Sequence, residues 1–250
     1  MLDWLLSRRA EPFDFGRLGA DMHAHWLPGI DDGAKSVAES LDMLRLYAEL
    51  GYTRLIATPH VFQEYYPNTP DTIDRALQEV RIAAREAGIA LTLDMAAEYM
   101  IDDAFDTHYQ QHRLLCLPGT REVLIEFGFY SPPLNIGEVI FRLQSKGLQP
   151  IIAHPERYDY YSRDLSKLES FRQRGLKLQV NLLSLVGYYG KSVKDTALSL
   201  LKKGWVDYLG TDAHSVDHLR RLPEINNDRK VLSVLQDLKF KNPRLIDANS

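Results

Sequence analysis

Short runs of β-forming residues alternate with amphipathic stretches, most of them closed by a glycine, along the whole 250-residue chain, and this alternation limits the fold more than any other feature. Extended segments are expected at 18–25, 55–58, 89–98, 122–127, 150–153, 176–181 and 206–211. Between them, Ser36 opens a helix with Glu39 placed for a capping box. Val37, Leu41, Leu44 and Ala48 form its apolar stripe, and Gly51 ends it. Pro70 opens a second helix, with Ile73, Leu77, Val80 and Ala84 on one face and Gly88 at its end. Asn135, with Glu138 three residues on, opens another that stops at Gly147. Further stripes run through Leu165, Leu168 and Phe171, through Val193, Ala197, Leu200 and Leu201, and over about 228–238. Parallel strands joined by crossover helices are the economical solution to such a pattern. No Gly/Ser/Pro-rich linker, internal repeat or low-complexity segment interrupts it. The expectation is an α/β fold, a single distorted and incomplete (β/α)7 TIM-like barrel over residues 1–250. Residues 1–17 form a short N-terminal extension, in which 2–6 are expected to be a small helix packed on the barrel, the alternative being a docking helix for a membrane-bound partner.

The polar residues then fall into place. His23, His25, His60, Glu98, Glu126, His154, Asp212 and His214 all lie at or just after the carboxyl ends of the expected strands, where barrels of this kind build their sites. His23 and His25 are two apart on one strand, so both rings project from one face. Asp32 follows a Pro28-Gly29 turn. Alone, a His-x-His pair is as readily a feature of a packed strand as of a metal site. Glu126 is harder to pass over, because a carboxylate inside Val123-Leu124-Ile125-Glu126-Phe127 needs a buried partner. Imidazole and carboxylate together suit manganese, iron or zinc. Nine candidate ligands exceed the needs of one ion, so two or three are implied.

Composition narrows the function. A net charge of −4 and the lack of a basic stripe argue against nucleic-acid partners, and with them against a nuclease. The single cysteine, Cys116, can form no internal disulfide, which fits a reducing cytoplasm. The first residues carry no continuous signal-peptide core. No stretch reaches the roughly 20 apolar residues of a membrane span, so an integral membrane protein is not expected.

Six segments together resemble the polymerase-and-histidinol-phosphatase (PHP) superfamily. They are Asp21-Met22-His23-Ala24-His25 with Gly29-Ile30-Asp31-Asp32-Gly33, Ala57-Thr58-Pro59-His60, Ala97-Glu98, Ile125-Glu126-Phe127, Ala153-His154-Pro155-Glu156-Arg157-Tyr158, and Gly210-Thr211-Asp212-Ala213-His214. Within it, Pro-Gly-Ile-Asp-Asp-Gly and His-Pro-Glu-Arg-Tyr resemble the bacterial manganese-dependent protein-tyrosine phosphatases of capsule and exopolysaccharide operons. That resemblance implies His23, His25, Glu98 and Asp212 around a first metal. Glu98 would bridge to a second, completed by Glu126 and His154, and Asp32, His60 and His214 would hold a third. Arg157 would grip phosphate with its planar fork, making Arg157, Glu98 and Asp212 the catalytic residues. The implied substrate is a phosphotyrosine protein, the tyrosine-rich tail of a cytoplasmic bacterial tyrosine kinase controlling polysaccharide export. Such ions lower the pKa of a bridging water and supply hydroxide near neutral pH.

Other readings stay open at this point. One keeps the metals but turns over a small phosphomonoester of the histidinol-phosphate kind; another makes the barrel a non-catalytic, metal-dependent binding module. Asp31 competes with Asp32, and spacing favours Asp32. Arg157 is alternatively an ion-pair partner of Glu156 or Glu126. His108, His112 and His218 are read as surface histidines. Tyr65, Tyr66, Tyr158, Tyr160, Tyr161, Tyr188 and Tyr189 fall in loops after strands, where they form either an aromatic wall for a phenyl ring or ordinary packing. Cys116 lacks the arginine-and-glycine phosphate loop of a cysteine phosphatase.

Overall fold

A computed structural model describes residues 11–103, 105–111 and 114–247; the expected helix at 2–6 and His112 lie outside the described residues. All ladder pairings are parallel. Strands β1 (Ala20–Asp21), β2 (Arg54–Ala57) and β4 (Thr92–Met95) form one ladder. Strands β3 (His60–Val61), β5 (Glu98–Met100), β6 (Glu122–Glu126), β7 (Gln149–Ile152), β8 (Lys177–Asn181) and β9 (Tyr208–Gly210) form the other, side by side in the order β3-β5-β6-β7-β8-β9. The two ladders are continuous in the chain, since β2 runs into β3 and β4 into β5. The sheet curls until its ends meet, where Ala24 pairs with Ala213, Asp212 N–H donates to the His23 carbonyl at 2.8 Å and His25 N–H donates to the Ala213 carbonyl at 3.0 Å.

Two expected extended segments are interrupted, 18–25 after Asp21 and 89–98 after Met95. Pro59 has no N–H to give the ladder and separates β2 from β3. The extended segment at 18–25 keeps ladder geometry only at Ala20–Asp21. Beyond that its backbone bonds to both neighbours singly, Thr58 N–H donating to the Ala24 carbonyl at 2.9 Å. Helices Phe105–Gln111 and Val216–Arg221 went unforeseen, as did the single turns Asp159–Ser162 and Leu182–Leu185. The Ser36 hydroxyl does accept from Glu39 N–H, but Glu39 reaches back to the Lys35 N–H, one residue before the expected partner. Asn135 makes no side-chain cap. It already sits in the turn begun at Pro133, with a backbone (φ −95°, ψ 11°) unlike the extended Ncap form.

Met22, Ile56, Leu124, Ile151, Ala153 and Tyr208 fill the inside of the ring, so it is a packed core rather than a pore. A larger apolar layer between strands and helices surrounds it. Each fully buried aliphatic side chain contributes roughly 1.5–3 kcal/mol. The amino ends of the strands are tied off by the chain's last described turn, Asn242–Leu245. Asn242 Nδ2 donates to the carbonyls of Ala20 (3.1 Å) and Leu209 (2.7 Å), while Arg244 and Lys177 converge on Glu122. With that end closed by hydrogen bonds and ion pairs, the carboxyl ends of the strands are left to carry the site. Among the described residues, no helix is long and apolar enough to cross a membrane.

Candidate metal centre

Two local devices set the first histidines. His23 and His25 leave β1 side by side, and each has its Nδ1 engaged from behind: His23 by Gln179 Oε1 at 2.8 Å, His25 by Asp31 Oδ2 at 2.9 Å. Their Nε2 atoms therefore face inward. His23 Nε2 lies 3.1 Å from Glu98 Oε2 and 3.4 Å from Asp212 Oδ1; His25 Nε2 lies 3.5 Å and 3.3 Å from the same two oxygens. All four residues are at most 1% exposed. Neither Nε2 nor Glu98 Oε2 has a hydrogen-bond partner. Two imidazole nitrogens and two carboxylate oxygens thus converge on one dry point with unspent lone pairs, a donor set that fits a divalent transition metal.

Two further groupings adjoin it. Asp32, His60 and His214 gather with His25, Asp32 Oδ1 lying 3.4 Å from His60 Nε2 and 3.3 Å from His214 Nε2. His60, Glu98 and Glu126 form the other, with His60 Nδ1 2.8 Å from Glu126 Oε1 and 3.2 Å from Glu98 Oε2. His154 lies outside these three groupings. Its Nε2 instead meets Glu98 Oε1 at 2.9 Å, and its Nδ1 is buried without a hydrogen-bond partner. Asp31 and Asp32 separate by environment. The Asp31 carboxylate is spent on His25 Nδ1 and on the N–H groups of Gly33 (2.8 Å) and His60 (3.3 Å), whereas the half-exposed Asp32 side chain reaches into the cleft.

Backbone strain concentrates here. His154 (φ 32°) and Asp212 (φ 50°) are the non-glycine residues with positive φ among the described residues, a conformation that costs on the order of 1–3 kcal/mol and must be held by its surroundings. Gly33 explains the end of the Gly-Ile-Asp-Asp-Gly turn, since a Cβ there would stand 2.0 Å from the His25 carbonyl oxygen.

Charge follows from burial. Burial by itself pushes the His25 imidazole down, but Asp31, with Asp212 and Glu98, outweighs it and holds the ring well above its ordinary pKa. Burial likewise works against His60, and Glu126 with Glu98 brings it up to about 9. Burial would raise Glu98 and Asp212; the neighbouring histidines hold both well below the usual carboxylate range. Protons on imidazoles therefore balance these carboxylates when no ion does.

Arg157 is the remaining cation. Its Nη1 donates to Asp212 Oδ2 at 3.0 Å, not to Glu156 or Glu126, and its guanidinium carbon lies over two rings, 4.7 Å from the centre of Phe129 and 4.2 Å from that of Tyr189. The guanidinium lines a cleft of about 270 Å³ together with Asp32, Glu126, His214 and His218. A larger groove of about 960 Å³, lined by Pro70, Arg81 and Cys116 among others, contains none of the nine candidate ligands.

One sequence reading needs correction here. His218 is not a surface histidine: it lines the cleft, its Nδ1 accepts from His214 N–H at 3.2 Å, and its Nε2 lies 3.0 Å from the Tyr188 hydroxyl. Its position four residues after His214, on the helix that Ser215 caps, was the available signal. The seven tyrosines form no common wall. Tyr158 and Tyr161 are core residues, Tyr158 accepting from Phe127 N–H and meeting the His154 ring at 5.6 Å, and Tyr65 is exposed; Tyr66 stacks on His60, the Tyr188 hydroxyl lies beside His218, and Tyr189 lies against Arg157. Phe129 went unnoticed although it stacks on both His154 and Arg157. The side chain of His108 lies outside what the structure describes.

A parallel α/β ring with imidazoles and carboxylates massed at the carboxyl ends of its strands defines an α/β protein with a candidate multi-ion metal centre. The chain belongs to the capsular polysaccharide synthesis family CpsB/CapC, whose family model matches residues 19–244. It is 33% identical over 196 residues to the tyrosine-protein phosphatase YwqE of Bacillus subtilis, covering 78% of this chain and 77% of that one. It is 25% identical over 236 residues to the tyrosine-protein phosphatase CpsB of Streptococcus pneumoniae, covering 90% and 97%. A solved structure from work on YwqE and CpsB, described there as unique metal-dependent tyrosine phosphatases, superposes with a TM-score of 0.78 at 29% identity, covering 92% of this chain and 95% of that one. A lactonase from Listeria monocytogenes (TM-score 0.50, 12% identity) shares the fold alone.

Proposed function

We propose that this chain is a metal-dependent protein-tyrosine phosphatase, built on a single PHP-type (β/α)7 barrel of residues 1–250 with 1–17 as an N-terminal extension. The observation that carries the reading is the convergence of His23, His25, Glu98 and Asp212 on one buried point beside Arg157, in a chain whose family relatives are named tyrosine phosphatases. Those four residues would hold one divalent ion. Glu98 also stands with Glu126 and His60, and contacts His154, so it is suited to bridge to a second ion. Asp32, His60 and His214 would hold a third. We assign manganese, with iron or zinc as fits to the same nitrogen and oxygen donors. When bound, such ions supply Lewis acidity to phosphate oxygens and a water of lowered pKa.

The chain's own residues do the rest. Arg157 receives phosphate oxygens along its in-plane edge and neutralises charge that grows in the transition state. Phe129 and Tyr189 hold that edge in the cleft and give a phenyl ring apolar neighbours. A phenolate leaving group, with a pKa near roughly 10, departs with little need of a general acid. The substrate we infer is a phosphotyrosine protein in the cytoplasm, the tyrosine-rich tail of a bacterial kinase that regulates polysaccharide export, and not a nucleic acid. The test is kcat/KM, with manganese present, on a phosphotyrosine peptide, the matched phosphoserine peptide and histidinol phosphate. Phosphotyrosine is expected to lead by a wide margin; histidinol phosphate in the lead would place the enzyme among small-molecule phosphatases.

A further inference from the structure

Strand β8 is the member of the ring that brings no imidazole or carboxylate to the cleft. It brings two amides. Gln179 and Asn181 are two residues apart, hence on one face of the strand, and both are fully buried. Gln179 Oε1 lies 2.8 Å from His23 Nδ1 and accepts from the backbone N–H of His154 at 3.2 Å. Gln179 Nε2 donates to Asn181 Oδ1 at 2.8 Å, and Asn181 Nδ2 donates to Asp212 Oδ2 at 2.6 Å.

The direction of this chain of bonds is forced from both ends. A backbone N–H only donates, so the Gln179 atom facing His154 is the carbonyl oxygen. An ionised carboxylate only accepts, so Asn181 turns its nitrogen to Asp212 and its oxygen to Gln179. Both amides are then fixed, and the atom that meets His23 Nδ1 is an acceptor. His23 Nδ1 must carry the proton, which leaves the Nε2 lone pair facing Glu98 and Asp212. Gly210 leaves the room: a Cβ there would fall 2.7 Å from His23 Cβ and 2.8 Å from Gln179 Nε2.

We propose that Gln179 and Asn181 are positioning residues for the metal centre, an amide relay that sets the His23 tautomer at one end and the rotation of the Asp212 carboxylate at the other. This rests on the metal-centre reading above. With Oδ2 held by Asn181 and Arg157, Asp212 offers Oδ1 to the point that His23 and His25 face. The relay is neutral, whereas His25 is oriented by the Asp31 carboxylate. Two histidines of one ligand group are thus aimed by partners of different charge, and β8 orients the centre without adding anions to it. Partners of this kind typically change metal affinity 10–100-fold when removed.

The experiment is Mn(II) titration of chelator-stripped protein, with free Mn(II) read by electron paramagnetic resonance. Gln179→Leu and Asn181→Leu are expected to weaken one ion by about 10–100-fold and leave the others at wild-type affinity. Gln179→Glu keeps an acceptor for His23 and His154 but loses the N–H that Asn181 Oδ1 accepts, so it is expected to return part of that affinity. Wild-type affinity at every site in the Leu variants, or equal weakening by Leu and Glu at position 179, overturns the relay while the metal reading stands. A wild-type chain that takes up no ion overturns both. Should the Leu variants not fold, ¹⁵N-histidine spectra of zinc-loaded wild-type protein decide alone. His23 protonated at Nδ1 supports the relay, and His23 protonated at Nε2 overturns it.

Discussion

Replacing Arg157 separates phosphate binding from metal binding more sharply than any ligand substitution can. Arg157→Met removes a guanidinium held by a 3.0 Å bond to Asp212 and by two rings at 4.7 and 4.2 Å. A single donor aimed at transition-state charge is worth about 3–4 kcal/mol, so kcat/KM on a phosphotyrosine peptide should fall about 10²–10³-fold. Arg157→Lys keeps the charge but loses the fork and most of the stacking, each ring contact being worth ~0.5–2 kcal/mol, and should recover only part of the loss. Metal content should be unchanged. Asp212 keeps its 2.6 Å bond from Asn181, and taking a cation away from a ligand carboxylate does not weaken its hold on an ion. The assay pairs steady-state kinetics with elemental analysis of the same preparations. Full activity in Arg157→Met would refute the phosphate role. Lost ions would show that Arg157 is structural, and the reasoning from its place in the cleft would fail with it.

Three further outcomes are expected. Glu98→Ala should lower metal content by more than one ion and remove nearly all turnover, because Glu98 is shared between two groupings; loss of one ion or none, by elemental analysis, contradicts the sharing. In the metal-free protein, His60 is raised from 6.5 to about 9. Its contribution to stability is thus complete below about pH 6.5 and lost as pH rises through about 9, while Glu98 and Asp212, lowered, contribute above about pH 4 and fail on acidification. Melting temperatures of chelated protein should therefore decline on the alkaline side of pH 7, and manganese uptake at pH 7 should release protons, measurable by calorimetry in two buffers of different ionisation enthalpy. Gly33→Ala would force its Cβ into the His25 carbonyl 2.0 Å away and should cost about 1–3 kcal/mol of stability together with metal affinity; an unshifted denaturation midpoint would argue against that close approach.

Much of this was legible in the sequence because the chemistry is periodic. Residues that end parallel strands share one face of the sheet by topology, so His23, His60, Glu98, Glu126, His154 and Asp212 could be gathered on paper without a single distance. Long helices with clear stripes, such as Pro70–Glu86, were equally readable, although its Thr69–Thr72 capping box was not. What the sequence withheld depends on contacts between distant segments. Gln179 and Asn181 look like ordinary polar residues until they meet His23, His154 and Asp212, all of them 25 or more residues away in sequence. Phe129 reads as loop until Arg157 stacks on it, and Tyr158 reads as loop until it proves to be core. The strand break after Met95 was hidden because Ile89, Leu91, Leu93 and Met95 alternate up to it, whereas the break at Pro59 follows from its missing N–H.

Phosphate release from a phosphotyrosine peptide, followed while manganese is added back to chelator-stripped protein, tests metal-dependent hydrolysis most directly. Activity should be absent in chelator and should return as two to three ions bind per chain, most of it only when the group at His23, His25, Glu98 and Asp212 is filled. Undiminished hydrolysis by protein shown to be free of metal would contradict the central claim.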